Sequence, residues 1–226
     1  MINKKILTKK EMAESNKERL ALIQEEFEKG FGLLRHFKKS VTFFGSSRTE
    51  EAENEYALAK TLGQRIVSEL GYSVITGGGP GIMEAANRGA FEAKGQSIGL
   101  TIDMPEAQVT NGYLTQHLDF HHLFSRKVCL TFTSEALVFF PGGLGTMDEF
   151  FEIITLLQTN KIERVPIITI GSEYWNKVKK FMEDVLMAGG YIDPDDTKIF
   201  TITDDLDQAI EIIKNAPSND GRKLEV

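Results

Sequence analysis

The sequence predicts an α/β protein: one mostly parallel, doubly wound sheet with helices on both faces, forming a single domain. Three observations carry that expectation. Short apolar runs alternate with segments of helical period along the 226 residues. The links between them are short, so successive strands are joined by helical crossovers. Two of the strand-to-helix links are rich in glycine, Gly77-Gly78-Gly79-Pro80-Gly81 and Pro141-Gly142-Gly143-Leu144-Gly145.

Residues 1–35 read as an N-terminal helical extension. Leu20, Ile23 and Phe27 keep a helical spacing on a charged background, and Gly30 and Gly32 are expected to close the helix. Val41–Phe44 is the first core strand and opens into Gly45-Ser46-Ser47-Arg48. Ala52–Leu70 is helical up to Gly71, and Tyr72–Thr76 is the second strand, with Pro80 at the first helical position after the glycine turn. Gln96–Ile102 is the third strand. The aperiodic stretch from Asp103 to Thr115 reads as a long loop at the sheet's edge, in the manner of a lid. Leu118–Leu123 is expected to be a short strand, and Ser125 the N-cap of the next helix. Ala136–Phe140 is a buried strand. After the second glycine turn, Phe150, Ile153, Ile154 and Leu157 fall on one helical face. Val165–Ile170, a helix over Glu173–Met187, an edge strand over Lys198–Thr203 and a helix over Leu206–Ile213 complete a domain spanning 36–215. Residues 216–226 read as a frayed polar tail.

Bulk properties narrow the partners. There are 26 basic and 33 acidic side chains, a formal net charge of −7, which argues against general nucleic-acid binding. No stretch is long enough to span a bilayer, and the charged N-terminus lacks the apolar block of a secretory signal. With a single cysteine, Cys129, no internal disulfide can form, so a reducing, cytoplasmic location is expected. Cys129 itself reads as a small core residue.

The chemistry concentrates at Pro141–Glu149. A strand, a glycine turn and a helix start aim backbone N–H groups and the positive helix end at a phosphate-sized anion. Gly142, Gly143 and Gly145 let its oxygens approach the backbone, and Thr146 adds a hydroxyl. Glu149 then places a carboxylate beside the anion. That is useless for binding alone and useful for cleaving a phosphorylated sugar. The plainer reading is a capping box, Thr146-x-x-Glu149. Upstream, Arg126 and Lys127 fall in the first turn of their helix, where cations oppose the dipole. A local rule broken in this way points to function. Ser46, Ser47 and Arg48 could meet a phosphate or simply form a strand-to-helix turn. His117, His121 and His122 match no zinc spacing, and no metal site is expected.

The run Pro141-Gly142-Gly143-x-Gly145-Thr146-x-x-Glu149, the Arg126-Lys127 pair and the Gly77–Gly81 turn together resemble the LOG ("Lonely guy") family. These are cytokinin riboside 5′-monophosphate phosphoribohydrolases, many of them earlier described as possible lysine decarboxylases. Gly79-Pro80-Gly81-Ile82-Met83-Glu84-Ala85 is similar to the branch with bacterial nucleotide 5′-monophosphate nucleosidases. One departure stands out: where plant-type members carry His-Glu before the Arg-Lys pair, this chain has Phe124 and Ser125.

The resemblance implies a Rossmann-like fold, a homodimer or larger assembly, and hydrolysis of the N-glycosidic bond of a nucleoside 5′-monophosphate, AMP or an N6-substituted AMP being the expected substrate. Glu149 and Arg126 would be catalytic. Gly142, Gly143, Gly145 and Thr146 would hold the 5′-phosphate. Ser46, Gly77, Gly78, Gly79 and Met83 would line the nucleotide pocket, with Lys127 in support and no cofactor. The alternative is a carrier that holds a phosphorylated ligand without cleaving it, as molybdenum-cofactor carriers do. A decarboxylase would call for pyridoxal phosphate on a lysine, and no lysine near the glycine turns suits it.

Overall fold

The computed structural model describes residues 8–103, 109–132 and 134–217. Seven strands form one sheet: β1 (Ser40–Phe44), β2 (Ser73–Thr76), β3 (Ser97–Ile102), β4 (Gln116–Phe120), β5 (Ala136–Phe139), β6 (Ile167–Thr169) and β7 (Phe200–Ile202). Every neighbouring pair is parallel, in the order β4-β3-β2-β1-β5-β6-β7. The chain steps outward from β1 to β4, then crosses back to lay β5 beside β1 and steps outward again. The two series diverge between β1 and β5, leaving a crevice at their carboxyl ends. Val41 pairs with Ala136 and Phe44 with Phe139, so the loops after these two strands emerge side by side.

Eight α-helices among the described residues cover the sheet: α1 (Lys9–Glu14), α2 (Asn16–Leu34), α3 (Asn54–Arg65), α4 (Ile82–Glu92), α5 (Leu123–Phe132), α6 (Leu144–Gln158), α7 (Ser172–Phe181) and α8 (Leu206–Lys214). Strand side chains point to alternate faces, and that alternation divides the core in two. Val41 and Phe43 of β1, with Val138 of β5, pack with Ala59, Leu62, Ala86 and Ile210, beneath α3, α4 and α8. Phe44, Leu137 and Phe139 pack on the opposite face with Leu34, Leu130, Phe150, Ile153 and Trp175, beneath α2, α5, α6 and α7. Strands β1, β2, β3 and β5 are buried throughout, which is why they read as near-continuous apolar runs.

Four local expectations are corrected. The helix α2 does not close at Gly30 or Gly32 but runs to Leu34. Gly30 marks where it crosses α5 and β4: a side chain there would meet Cys129 Sγ at 2.5 Å and the Phe120 ring at 3.1 Å. Instead of Leu118–Leu123, the strand is Gln116–Phe120. The helix α5 then begins at Leu123, so Ser125 lies inside it rather than capping it. The capping box at Thr146 and Glu149 does not form either, because the N-cap of α6 is Gly143. Of the stretch read as a lid, residues 104–108 lie outside the described residues, as do residues 1–7 of the N-terminal extension and 218–226 of the tail.

Candidate active site

The loop after β5 builds an open helix start. Gly143 caps α6 with no side-chain hydrogen bond, and the first helical bond runs from Met147 N–H to Gly143 O at 3.0 Å. The N–H groups of Leu144, Gly145 and Thr146 precede that bond and have no helical acceptor. Gly143, Leu144 and Gly145 are exposed, so an anion can reach them. Three contacts hold the turn. Ser46 N–H donates to Pro141 O at 3.0 Å. Tyr174 Oη donates to Gly142 O at 2.7 Å, bracing it from α7. The buried Thr146 side chain fills the space beside Gly142 that a Cβ would occupy.

The loop after β2 is built differently. Gly77, Gly78 and Gly79 are all buried. Gly78 N–H donates to Thr76 Oγ1 at 2.8 Å. Asn111 reaches across from the loop before β4, giving its backbone N–H to Gly78 O at 2.9 Å and its Nδ2 to Gly79 O at 3.0 Å. The same Nδ2 meets Asn87 Oδ1 at 3.0 Å, which also accepts from Thr76 Oγ1 at 2.6 Å. Gly77 lies against two predicted site residues: a Cβ there would come within 2.5 Å of Arg126 Nη2 and 2.8 Å of Met83 Sδ. Ser46 ties the turns together, accepting from Ile82 N–H at 3.0 Å while donating to Pro141. Its hydroxyl accepts from Arg48 N–H at 3.0 Å, and Ser47 and Arg48 are exposed.

Between the turns sit opposite charges. Arg126 is only 9% exposed, and its Nε is buried with no hydrogen-bond partner among the described residues. Burial lowers its pKa from the usual value, and the nearby Glu149 charge partly offsets that. Burial likewise raises Glu149, whose pKa is pushed up to about 7. Arg126 and Lys127 pull it down, while Asp148 and Glu152 push it further up. Among the described residues no ion pair within 4.0 Å joins Arg126 to Glu149. The two groups are therefore close enough to bias each other's charge without an ion-pair contact, and strongly perturbed groups of this kind mark a candidate functional site. Lys127 behaves otherwise. Its Nζ binds Asp148 at 2.7 Å and Glu152 at 2.5 Å. Burial works against its charge, but those two carboxylates outweigh it and hold the pKa above the usual lysine value.

The predicted residues thus fall into two groups. Arg126, Met83 and Gly77 meet at the buried turn, with Glu149 within electrostatic reach, and Gly142, Gly143, Gly145 and Thr146 form the open one. Lys127 is held by the acids of α6. The histidines serve elsewhere: His122 Nδ1 is 3.0 Å from Glu26 Oε2, and His121 faces Asp103 at 3.6 Å. Sequence reasoning missed Glu26, Asn111 and Tyr174, all of which act across long stretches of chain. An open groove of about 710 Å³ runs beside the site along α6, lined by Lys127, Leu144, Met147 and Phe151 among others. No described helix is long and apolar enough to cross a membrane.

These features define a Rossmann-like α/β protein with an open helix start at its switch point and a buried arginine within electrostatic reach of a half-buried glutamate. The chain belongs to the family described as possible lysine decarboxylase, whose model matches residues 83–213, and so to the LOG group that the glycine motif resembles. It is 25% identical over 181 residues to a cytokinin riboside 5′-monophosphate phosphoribohydrolase of Rhodococcoides fascians, covering 78% of this chain and 90% of that one. It is 28% identical over 149 residues to the pyrimidine/purine nucleotide 5′-monophosphate nucleosidase of Escherichia coli K12, covering 59% of this chain but only 32% of that protein. Among solved structures, the molybdenum cofactor carrier protein of Chlamydomonas reinhardtii shares the fold, with a TM-score of 0.60 at 23% identity over 79% of this chain and 98% of that one.

Proposed function

We propose that the protein hydrolyses the N-glycosidic bond of a nucleoside 5′-monophosphate, releasing the base and ribose 5-phosphate. The observation that carries this reading is the Glu149–Arg126 pair beside the open start of α6. A site that only held an anion would gain nothing from a carboxylate next to it. A site that cleaves a sugar bond needs one, because positive charge grows on the ribose ring as the base departs. The relatives named as phosphoribohydrolase and nucleosidase support the same reaction.

In this reading the free N–H groups of Gly145 and Thr146, with Gly143 alongside, hold the 5′-phosphate. That remote binding energy keeps the ribose in its reacting pose. Glu149 works as the anion, stabilising the ring cation and orienting the attacking water. Arg126, short of a partner at Nε among the described residues, engages the phosphate or the ribose and counters the burial that raises the Glu149 pKa, so that part of it is ionised at neutral pH and more above it. Met83 and the Gly77 turn form the floor under the nucleotide, and Ser46 its edge. Lys127 holds Asp148 and Glu152 and so fixes the helix that carries Glu149. It does not suit imine formation with pyridoxal phosphate, since that chemistry calls for a lysine of lowered pKa. The groove along α6, with Leu144 91% exposed, is where a second copy would complete a homodimer.

The test is incubation of purified protein with AMP, CMP, GMP, UMP and IMP, following free base by chromatography. Release from at least one, AMP first, is expected. Tight retention of a phosphorylated pterin with no base released from any nucleotide would turn the reading into that of a carrier.

A further inference from the structure

Among the buried ionisable groups of the described residues, Glu26 has no role in the predicted site but a concentrated set of partners. Glu26 sits in the middle of α2, far from the glycine motifs in sequence, and is 6% exposed. A buried carboxylate in the middle of a helix costs stability unless it is fully hydrogen-bonded. Here every bond goes to one place, the start of α5. Oε1 accepts the backbone N–H of His121, and that of His122 at 3.2 Å. Oε2 accepts Ser125 Oγ at 2.5 Å and pairs with His122 Nδ1 at 3.0 Å. Burial alone would raise its pKa, but the bonds from Ser125, His121 and His122 hold it below the usual carboxylate value. The carboxylate is therefore charged at neutral pH, and it sits at the positive end of α5, where a negative charge is favourable.

The helix α5 needs such a partner. Its first residues are exposed Leu123 and Phe124, and Ser125 spends its hydroxyl on Glu26 and on His122 O at 2.9 Å. Arg126, the next residue along, lies against Gly77 with less than a methyl group's room. Any slide or rotation of α5 moves that guanidinium relative to Glu149. We propose that Glu26 is the positioning residue of the site: a carboxylate lent by α2 that anchors the turn leading into α5, together with Ser125 in its first turn, and sets where Arg126 stands relative to Glu149. It touches no substrate. Its charge does not act on Arg126 directly, since Arg126 responds to burial and to Glu149.

The inference rests on the proposed reaction for its kinetic arm, and the experiment separates the two. Wild type, Glu26→Gln, Glu26→Ala and Ser125→Ala are compared in base release from AMP across pH and in hydrogen exchange over residues 121–132. The groups facing Glu149 are Arg126 and Lys127 from α5 and Asp148 and Glu152 from α6. If Arg126 drifts, Glu149 loses the cation that lowers its pKa, so the acid limb of the rate profile should move to higher pH. Glu26→Ala should lower kcat by about 10- to 100-fold, the effect of roughly an ångström's misplacement, with KM changing less. It should also speed exchange at the start of α5. Glu26→Gln, which keeps an acceptor oxygen, should recover most of the rate. Should Glu26→Ala prove unstable, Ser125→Ala removes one contact and should show the same acid-limb shift in weaker form. An Ala variant with wild-type kcat overturns the proposal, as does a loss of rate with an unmoved pH profile and unchanged exchange. If wild type releases no base at all, the proposed reaction fails instead. The exchange data then judge Glu26 alone, and unchanged protection at residues 121–126 rejects it.

Discussion

The two glycine turns look alike in sequence and are opposite in construction. The one at Gly77–Gly79 is buried, its carbonyls taken by Asn111 and its Gly78 N–H by Thr76. The one at Gly142–Gly145 leaves its helix start open, with Gly143 and Gly145 exposed. Backbone N–H groups that already have partners cannot bind an anion without giving something up, whereas free ones at a helix start gain by binding it. Glycine serves two purposes here. In the first turn it makes room for a neighbouring side chain, Arg126, and in the second Gly142 makes room for Thr146 while Gly143 and Gly145 leave open space. In the proposed reading the first turn gives support and the second binds phosphate, although a glycine count would treat them as equals.

The sharpest way to break that assignment is at Glu149, which belongs to the open turn's helix. Glu149→Gln should reduce kcat by about a thousandfold, in the range for loss of an acid–base group, while ribose 5-phosphate still binds. Next comes a contrast between glycines. Gly77→Ala must displace Arg126 or Met83, so kcat/KM should fall about a hundredfold, with roughly 1–3 kcal/mol of stability lost to overpacking. A Cβ at Gly143 meets nothing within 4 Å, and its φ of −90° is one any residue can adopt. Gly143→Ala should therefore leave the melting temperature unchanged and weaken only ribose 5-phosphate binding, as calorimetry would show.

The pH dependence follows from Glu149. Its pKa of about 7 in the fold lies above the ordinary 4.5, so the neutral form favours the folded state. That contribution is whole below about 4.5 and is lost as pH rises through about 7. Relative to Glu149→Gln, wild type should lose on the order of 2 kcal/mol between pH 5 and pH 8.5 in urea titrations. Activity should run the other way, with kcat/KM falling as pH drops below about 7 and the carboxylate takes up its proton. The smallest effect is at the brace. Tyr174→Phe removes the 2.7 Å bond to Gly142 O and should cost about 1 kcal/mol, with a few-fold loss in phosphate affinity.

Much of this was legible in the chain. Strand runs such as Val41–Phe44 and Ala136–Phe140 announce a sheet buried on both faces, and the seven parallel strands follow that pattern. The Pro141–Glu149 motif is local, so its strand–turn–helix course could be read from spacing, though not its cap, which is Gly143 rather than Thr146. Helix boundaries were less legible, because tertiary contacts set them. Gly30 and Gly32 look like a stop signal, but Gly30 is needed for the crossing with Cys129. Ser125 looks like a cap, but its hydroxyl is claimed by Glu26, 99 positions away. Asn111 and Tyr174, each separated by 32 residues from the glycine it holds, leave no periodic trace. The sequence also could not distinguish the two turns, since what separates them is which neighbours cover them.

The most direct measurement is single-turnover release of adenine from AMP by wild type and by Glu149→Gln, with ribose 5-phosphate affinity measured on both. The account predicts that the variant binds the sugar phosphate within a few-fold of wild type and releases base about a thousandfold more slowly. Equal rates of release, or a variant that fails because it no longer binds the sugar phosphate, would contradict it.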